Sequence, residues 1–513
     1  MSNAPYSREA MRRGTWRFLT GKVTSALLTV VILLWLVRLM TVAEYGAYVV
    51  LVAGMELGFA LAGFGLPWLA ARYLPEYRLH GSGASLTAIC RQLLLWQVMS
   101  LLACITLLAI MLNSYLSWTG LELIHTPAQI YLLVLLVEGL GRFLRVALMD
   151  PLMLQGESRS SMILRQLSFL ILISALDFTD HGTLLWVVSA ELVASTFGML
   201  AALILLWRHL QGLRDQVCQQ GWSAPMFSAQ RHIAGRMYAT QLLTLAYSPQ
   251  VFLNLIQHTL GVESAALFGF LSNLQRQIAQ YLPATLLFSI IRPKMVADYV
   301  GGGGMAELSR NTNLAGKLSL FVLMPLVALV ALAGEPLIAW LSGSKFTDSG
   351  WLLLGLMLTL IPYSQWQLNQ SLAVVSGHVG LCTWAAASGL IVLPLMWILL
   401  QLNLGLWAAI IATGLGNVLL NTIVVVGVSK WAGYQADWIG FLKLTFSALA
   451  AYGISMMLHI EGFEFNASIW LLAAFQCLTF LLIYFMISCW VKSFAVDERA
   501  RINALAKYRI FIW

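Results

Sequence analysis

Long apolar segments constrain the fold of this chain more than any other feature of its sequence. A helix that crosses a bilayer needs about 20 consecutive and mainly apolar residues. Applied to the 513 residues, this criterion predicts fourteen membrane-spanning helices. Their bounds are 17–40, 46–70, 92–112, 127–149, 161–178, 183–207, 235–257, 263–290, 314–340, 351–375, 380–400, 404–428, 440–459 and 467–490. We therefore predict an all-α polytopic membrane protein.

The composition agrees with this fold class and argues against several kinds of site. Only 10% of the residues are charged, whereas soluble domains average about 25%. The net charge of +8 does not by itself indicate nucleic acid as a partner, because the location of the cations decides what they bind. None of the six cysteines lies in a segment predicted to be outside, so we expect no disulfide. Metal-binding clusters, phosphate-binding loops and nucleophile motifs are not evident in the sequence, so we expect no cofactor, metal or catalytic residue.

Positively charged residues predict the orientation, since short cytoplasmic loops of membrane proteins are enriched in lysine and arginine. They cluster at the N-terminus, in the loops after predicted spans 2, 4, 6, 8 and 12, and in the C-terminal tail. The opposite loops hold only Lys345, with Arg38 at a helix end, together with several acids. We therefore predict an even number of spans with both termini in the cytoplasm.

The longest polar stretch separates the first twelve spans into two groups of six. The predicted domains are an N-terminal six-helix lobe at 1–208, a cytoplasmic linker at 209–234, a C-terminal six-helix lobe at 235–430, an additional helix pair at 431–490 and a basic cytoplasmic tail at 491–513. A weak internal repeat supports two related lobes, because Ala43-Glu44 falls on Val262-Glu263 and Arg72 falls on Arg292. Related halves with a site at their interface are common in secondary transporters.

The clearest polar cluster within a predicted span lies in the eighth. Asn273, Arg276, Gln277 and Gln280 are spaced so that they share one helical face. Arg276 lies near the predicted bilayer centre, where a guanidinium needs an anion, carbonyl groups or water. Two interpretations remain open: a cationic anchor for an anionic substrate, and a structural ion pair that locks two helices. The repeat places Arg276 at the position that corresponds to Glu56.

Three acids within predicted spans are candidates for coupling to protons or sodium ions. Glu56 lies midway along the second span, Glu138 lies in the fourth and Glu191 lies in the sixth. Each of them fits an interhelical hydrogen bond equally well. Glu138 and Arg142 are four residues apart and can pair along one helical face. Arg145 either contributes to a binding site or extends its charged group to the inner membrane interface.

The hairpin between residues 38 and 78 resembles the opening of a known family. The matching motifs are Arg38-Leu39, Glu44-Tyr45-Gly46, Gly65-Leu66-Pro67 and Arg72-Tyr73-Leu74-Pro75-Glu76-Tyr77-Arg78. They resemble those of bacterial polysaccharide flippases, the O-antigen and exopolysaccharide members of the multidrug/oligosaccharidyl-lipid/polysaccharide exporter superfamily. In that family Leu-Gly usually precedes Glu-Tyr-Gly, where this chain has Met40-Thr41-Val42-Ala43. The motifs cover a single hairpin, while the layout of fourteen spans agrees over the whole chain.

This resemblance implies two six-helix lobes around a central cavity in the bacterial inner membrane. It implies alternating-access transport of an undecaprenyl-diphosphate-linked oligosaccharide for the synthesis of surface polysaccharide or exopolysaccharide. The implied partners are this lipid-linked glycan, membrane lipids, a polysaccharide polymerase and chain-length proteins, and no nucleic acid. Arg276 is the first candidate for binding the diphosphate, because arginine suits bidentate contacts to phosphate. Further candidates for substrate contacts are Asn273, Gln277, Gln280, Arg38, Arg142 and Arg145.

Other functions remain open on the sequence. A drug or cation antiporter of the same superfamily would favour an acidic cavity, in which the cargo competes with ions for Glu56. A lipid II flippase is a further alternative, because the sugar specificity cannot be read from the sequence. A membrane glycosyltransferase or acyltransferase would need a catalytic loop or a buried catalytic residue, and His378 and His459 lie at loop edges without a motif.

Overall fold

The computed structural model describes residues 8–215, 217–218, 222–223, 235, 238–286, 304–460 and 469–506. Over these residues the secondary structure is helical and contains no strand, so the prediction of an all-α chain is confirmed. Most of the predicted linker, the loop around Arg292 and the last residues of the basic tail lie outside this part of the chain.

The chain forms two compact units, Met1–Phe270 and Leu271–Trp513. The first unit begins with α1 (Arg8–Leu39), α2 (Val42–Leu61), α3 (Leu66–His80) and α4 (Gly83–Thr119). It continues with α5 (His125–Arg142), a π-helical segment (Phe143–Met149), α6 (Gln155–Phe178), α7 (Leu184–Gly212), α8 (Pro249–Leu260) and the first half of α9 (Val262–Tyr281). Within this unit α5 and α6 both pack on α7, α1 packs on α6, and α2 packs on α8.

The second unit contains the end of α9 and all of the helices that follow it. These are α10 (Pro283–Leu286), α11 (Gly304–Ser342), α12 (Gly350–Val375), α13 (Val379–Ser388), α14 (Val392–Gln401), α15 (Trp407–Ala432), α16 (Trp438–Ile460), α17 (Ile469–Val491) and α18 (Val496–Ala506). Here α11 packs on α12, α12 packs on α15, and α16 packs on both α11 and α17.

Ten of the helices in the described residues are long and apolar enough to cross a membrane. They coincide with predicted spans 1, 2, 3, 5, 6, 9, 11, 12, 13 and 14. The other four predicted spans, 127–149, 235–257, 263–290 and 351–375, fall on helical segments that are more polar or only partly described. The chain is therefore a multi-pass membrane protein.

The first turns of α2 show the structural roles of Glu44 and Gly46, two residues of the motif Glu44-Tyr45-Gly46 on which the family resemblance depends. The Thr41 hydroxyl accepts a hydrogen bond from the Glu44 N–H, and the Glu44 carboxylate accepts one from the Thr41 N–H, which forms a capping box. The motif Glu44-Tyr45-Gly46 therefore lies in the first turns of α2. Gly46 permits a close approach to α9, because a Cβ at this position would collide with the carbonyl oxygen of Val262.

The C-terminal helix α18 is held within the second unit by a buried lysine. Lys317 of α11 is only 1% exposed, and its Nζ lies 2.5 Å from Oε2 of Glu498 and 2.6 Å from Oδ2 of Asp437. Arg501 of α18 also contacts Glu307 of α11 at 2.6 Å. Partial burial acts to raise the pKa of Asp437, but hydrogen bonds from Lys317 and from the backbone N–H of Gly440 outweigh it and lower that pKa. The beginning of the predicted basic tail is therefore a packed helix.

We expect Glu498→Ala to destabilise the second unit, because it removes one of the two carboxylates that neutralise Lys317. Breaking a buried ion pair in this way typically costs about 3–5 kcal/mol. The adjacent Asp497→Ala is the matched control, since the Asp497–Arg310 pair is about half exposed and such pairs contribute about 0–1 kcal/mol. Thermal unfolding in detergent and protease cleavage after α17 measure the difference. Equal melting temperatures for the two variants would contradict this role of Lys317.

Candidate functional site

Six charged side chains from four helices and the π-helical segment meet inside the first unit. We call them the buried charge network, and its members are Glu56 on α2, Glu138 and Arg142 on α5, Arg145 in the π-helical segment, Arg165 on α6 and Glu191 on α7. The structure thus brings all three predicted coupling acids together. Three carboxylates and three guanidinium groups cancel, so the ionised network carries no net charge.

Glu138 lies at the centre of the network and is 4% exposed. Its Oε1 is 2.8 Å from Nη2 of Arg145 and 3.3 Å from Nε of Arg142, and its Oε2 is 2.9 Å from Nε of Arg165. The predicted pairing of Glu138 with Arg142 is therefore confirmed. Arg145 is 5% exposed, and its guanidinium is directed to Glu138 inside the protein and not to solvent. The carboxylate of Glu138 connects three helical segments.

Glu191 forms a second junction of the network. Its Oε1 lies 2.9 Å from Nη2 of Arg165, and its Oε2 accepts hydrogen bonds from the hydroxyls of Tyr48 at 3.0 Å and Tyr131 at 3.1 Å. Nε of Arg165 also donates to the hydroxyl of Ser195 at 3.1 Å. Both oxygens of Glu191 are thus occupied, as buried carboxylates require.

Glu56 and Arg142 form the accessible edge of the network. Two parallel hydrogen bonds of 2.7 Å join the Arg142 guanidinium to the two oxygens of Glu56. The side chain of Arg142 is 30% exposed and that of Glu56 is 23% exposed. The same guanidinium lies 5.6 Å from the ring centroid of Phe59, within cation–π distance. Among the three acids, Glu56 is the one that solvent or a substrate reaches most easily.

Local backbone features make room for two of the arginines. The N–H of Asp150 donates to the carbonyl of Arg145, five residues back, as in a π-helix, and such segments are frequent at functional sites. A Cβ at Gly141 would lie 3.1 Å from Nη1 of Arg145, and one at Gly198 would lie 2.7 Å from Cβ of Arg165. Glycine at these two positions therefore leaves the space that the buried arginines occupy.

The polar face of α9 lies outside the network. Arg276 is exposed and forms no ion pair or hydrogen bond with any residue that the structure describes, while Asn273, Gln277 and Gln280 are partly buried on the same helix. Gln275 donates to the carbonyl of Leu356 and to the hydroxyl of Thr359, both at 2.7 Å, and so joins α9 to α12. Arg276 consequently keeps a full set of donors for a ligand.

The remaining substrate candidate, Arg38, lies exposed near the end of α1. Arg165 was not among the predicted site residues, although it is the fifth residue of the predicted span 161–178. Lys317 was not predicted either, although it is the fourth residue of the predicted span 314–340. In both cases the signal was a cation inside an apolar segment, which is costly unless it is paired.

Comparisons with known proteins identify the family and the fold. Residues 11–330 match the model of the polysaccharide biosynthesis protein family. In sequence, no protein with a curated function matches this chain.

Several solved structures have the same fold. The lipid II flippase MurJ in an inward closed conformation has a TM-score of 0.67 and 12% identity, covering 94% of this chain and 99% of MurJ. An inward-facing multidrug resistance MATE family transporter of the MOP superfamily has a TM-score of 0.59 and 14% identity, covering 80% of this chain and 94% of the transporter. A mutant of the Vibrio cholerae MATE transporter VcmN has a TM-score of 0.54 and 14% identity, covering 82% and 96%. At these identities the likeness shows the fold alone.

We expect Glu138→Gln to lower the amount of folded protein far more than Glu56→Gln. Glu138 contacts three arginines from a buried position, and its loss leaves the buried Arg145 without its carboxylate partner in the described residues, which typically costs about 3–5 kcal/mol. Glu56 is more accessible, so water can partly replace its interaction with Arg142. Size-exclusion profiles and thermal unfolding of the two purified variants measure the difference. A monodisperse Glu138→Gln protein with the unfolding temperature of the wild type would contradict the central role of Glu138.

Proposed function

We propose that this chain, which belongs to the polysaccharide biosynthesis protein family, is a flippase for an undecaprenyl-diphosphate-linked oligosaccharide. It moves this substrate from the cytoplasmic to the periplasmic leaflet of the bacterial inner membrane, with both termini in the cytoplasm. Its fold is that of MurJ and the MATE transporters, which supports a transport role. The exported glycan serves O-antigen or exopolysaccharide synthesis, next to a polymerase and chain-length proteins.

The exposed Arg276 is the observation that carries the proposal. Its helix is predicted to span the membrane, where a cation needs an anion or water as a partner. A diphosphate offers several acceptor oxygens in a geometry that matches the planar guanidinium. Asn273, Gln277 and Gln280 on the same helix add amide groups that suit the sugar adjoining the diphosphate.

The Glu56–Arg142 pair supports coupling of transport to an ion. Protonation of Glu56, or its binding of a sodium ion, would remove the carboxylate charge that holds Arg142. The guanidinium would then be free to change partner, while Glu138 still neutralises it in part. Glu138 and Glu191 are less suited to this role, because each is already held by at least two groups in a buried position.

Lipid II is the alternative substrate that the fold comparison favours, since MurJ has the highest TM-score of the structures compared above. Both substrates contain a polyprenyl diphosphate, so Arg276 suits either one. They differ in the sugars and the peptide, and complementation separates them. Rescue of surface polysaccharide export supports the first substrate, whereas rescue of a MurJ-depleted strain supports lipid II.

We expect Arg276→Ala to abolish export of the lipid-linked glycan and Arg276→Lys to retain part of it. Lysine keeps the charge but loses the planar arrangement of donors. The measurement is surface polysaccharide in a deletion strain that expresses each variant, with the amount of membrane protein determined in parallel.

The control for Arg276 is Arg91→Ala, which removes another exposed arginine at the beginning of α4. This variant should export like the wild type. Full export by a normally expressed Arg276→Ala protein would refute the anchor role.

We expect Glu56→Gln to be expressed normally but to lose the pH dependence of transport. Glutamine retains the size of the side chain and can still accept a hydrogen bond from Arg142, but it does not ionise. Uptake of a fluorescent polyprenyl diphosphate glycan into proteoliposomes at several external pH values, with and without sodium, measures the effect. Glu122→Gln, at an exposed position after α4, is the control. An unchanged pH and sodium profile in Glu56→Gln would assign this residue to packing.

A further inference from the structure

A cavity of about 360 Å³ lies within the first unit, beside the buried charge network. Helices α2, α4, α5 and α8 form its walls. Interiors of proteins are close-packed, and voids larger than a water molecule are few. An apolar cavity of about 150 Å³ already stays dry and binds benzene. The cavity in this chain is more than twice as large, so it has room for an apolar chain segment.

The chemistry of the walls excludes a sugar as the occupant. The lining is mainly leucine and methionine, and the hydroxyl and amide groups of Tyr115, Asn254 and Tyr131 are engaged with protein groups. The Tyr115 hydroxyl donates to Oδ1 of Asn254, and Nδ2 of Asn254 donates to the carbonyl of Gln250 at 2.8 Å. Tyr131 lines the cavity but directs its hydroxyl to Glu191. A hydrocarbon fits such walls, because burial of apolar surface is favourable and needs no hydrogen bond.

The cavity has a route for a lipid chain to enter. Leu61, Met111 and Trp118 line it and are also among the exposed large hydrophobic residues. In a membrane protein, such residues suit contact with hydrocarbon. Gly54 lines the cavity on the α2 wall, and an added Cβ there would make an ordinary van der Waals contact with the Tyr115 hydroxyl oxygen, at 3.7 Å.

The same walls carry residues of the buried charge network. Glu56 lies between two residues of α2 that line the cavity, Met55 and Leu57. Tyr131 lines the cavity with its ring and donates to Glu191 of the network. A chain bound in the cavity would therefore contact the helices that position the accessible Glu56–Arg142 pair. A substrate tail bound in the cavity can therefore influence the Glu56–Arg142 pair, which we propose to couple transport to an ion.

We infer that this cavity binds a segment of the isoprenoid chain of the lipid carrier. The inference rests on the proposed function for its choice of an isoprenoid, because that is the hydrocarbon part of the substrate. The occupied cavity restrains Tyr131 and α2, whereas the empty cavity leaves them free to move. An acyl chain of a bulk phospholipid is the competing occupant and is distinguished by the experiment below.

Gly54→Leu is the variant that tests the site, because its side chain projects into the cavity and occupies it. A leucine in place of a helical glycine also raises the helix propensity by roughly 0.5–1 kcal/mol, so the folded protein should not be weakened. Gly54→Ala fills little of the volume and should have a smaller effect. Gly212→Leu is the matched control, since a Cβ at Gly212 would have no atom within 4 Å.

The measurement is photocrosslinking of the purified full-length protein in detergent with a diazirine-bearing geranylgeranyl phosphate. We expect labelled peptides from α2 and α4 in the wild type and in Gly212→Leu, and labelling roughly tenfold weaker in Gly54→Leu, equivalent to a loss of about 1.4 kcal/mol. The unfolding temperature of Gly54→Leu should equal or exceed that of the wild type without ligand. Undiminished labelling of Gly54→Leu would overturn the inference.

Two further results separate this inference from the proposed function. Equal labelling by a phosphatidylglycerol acyl-chain probe, with equal competition by both lipids, would make the cavity a general lipid site and overturn the choice of an isoprenoid. Arg276→Ala should lose glycan export but keep the labelling by a diazirine-bearing geranylgeraniol, which has no phosphate group for Arg276 to bind. If export fails to depend on Arg276 while Gly54→Leu still weakens the labelling, the proposed anchor is wrong and the isoprenoid site remains.

Discussion

A charge cannot remain unneutralised in a low-dielectric interior, and the organisation of the first unit follows from this constraint. Glu138 brings the guanidinium groups of Arg142, Arg145 and Arg165 within 3.3 Å of one carboxylate. These arginines come from α5, the adjoining π-helical segment and α6, so their positions are fixed together. Glu191 extends the same arrangement to α7. Glycines at 141 and 198 and the π-helical backbone are the local features that leave room for it.

The members of the network are buried to different degrees, and its more exposed edge is the part that we propose to couple transport to an ion. Glu138 is 4% exposed, whereas Glu56 is 23% exposed. At this accessible edge, the Glu56 carboxylate can be protonated and Arg142 can exchange partners. Neither change requires the centre of the network around Glu138 to unfold. The apolar cavity lies against α2 and α5, the helices that carry Glu56 and Arg142. In the proposed mechanism an ion at Glu56 and a hydrocarbon chain in the cavity therefore act on the same part of the first unit.

The second unit uses the same physical rule for a different purpose. Lys317 is neutralised by two carboxylates, and one of them, Glu498, belongs to the C-terminal helix. A buried cation is thereby a fixed attachment point for α18. Arg276 differs from it, because it is exposed and without an ion-pair partner in the described part of the chain. Because Lys317 is paired within the described residues and Arg276 is not, we assign a structural role to Lys317 and propose Arg276 as a binding group.

Features that depend on residues close together in the chain were predictable from the sequence. The length of apolar segments identified ten spans that the described structure contains, because it must match the bilayer thickness, and the four-residue spacing of Glu138 and Arg142 identified their pair. The sequence also marked Glu56 and Glu191 as acids within predicted spans. It did not identify their partners, since Arg142 is 86 residues from Glu56 and Arg165 is 26 residues from Glu191. The contact of Lys317 with Glu498 spans 181 residues. Such pairs leave no periodic signal along the chain, because only the packing of helices brings them together. The apolar cavity was likewise decided by the tertiary structure, since its walls come from four helices whose apolar residues look alike in sequence.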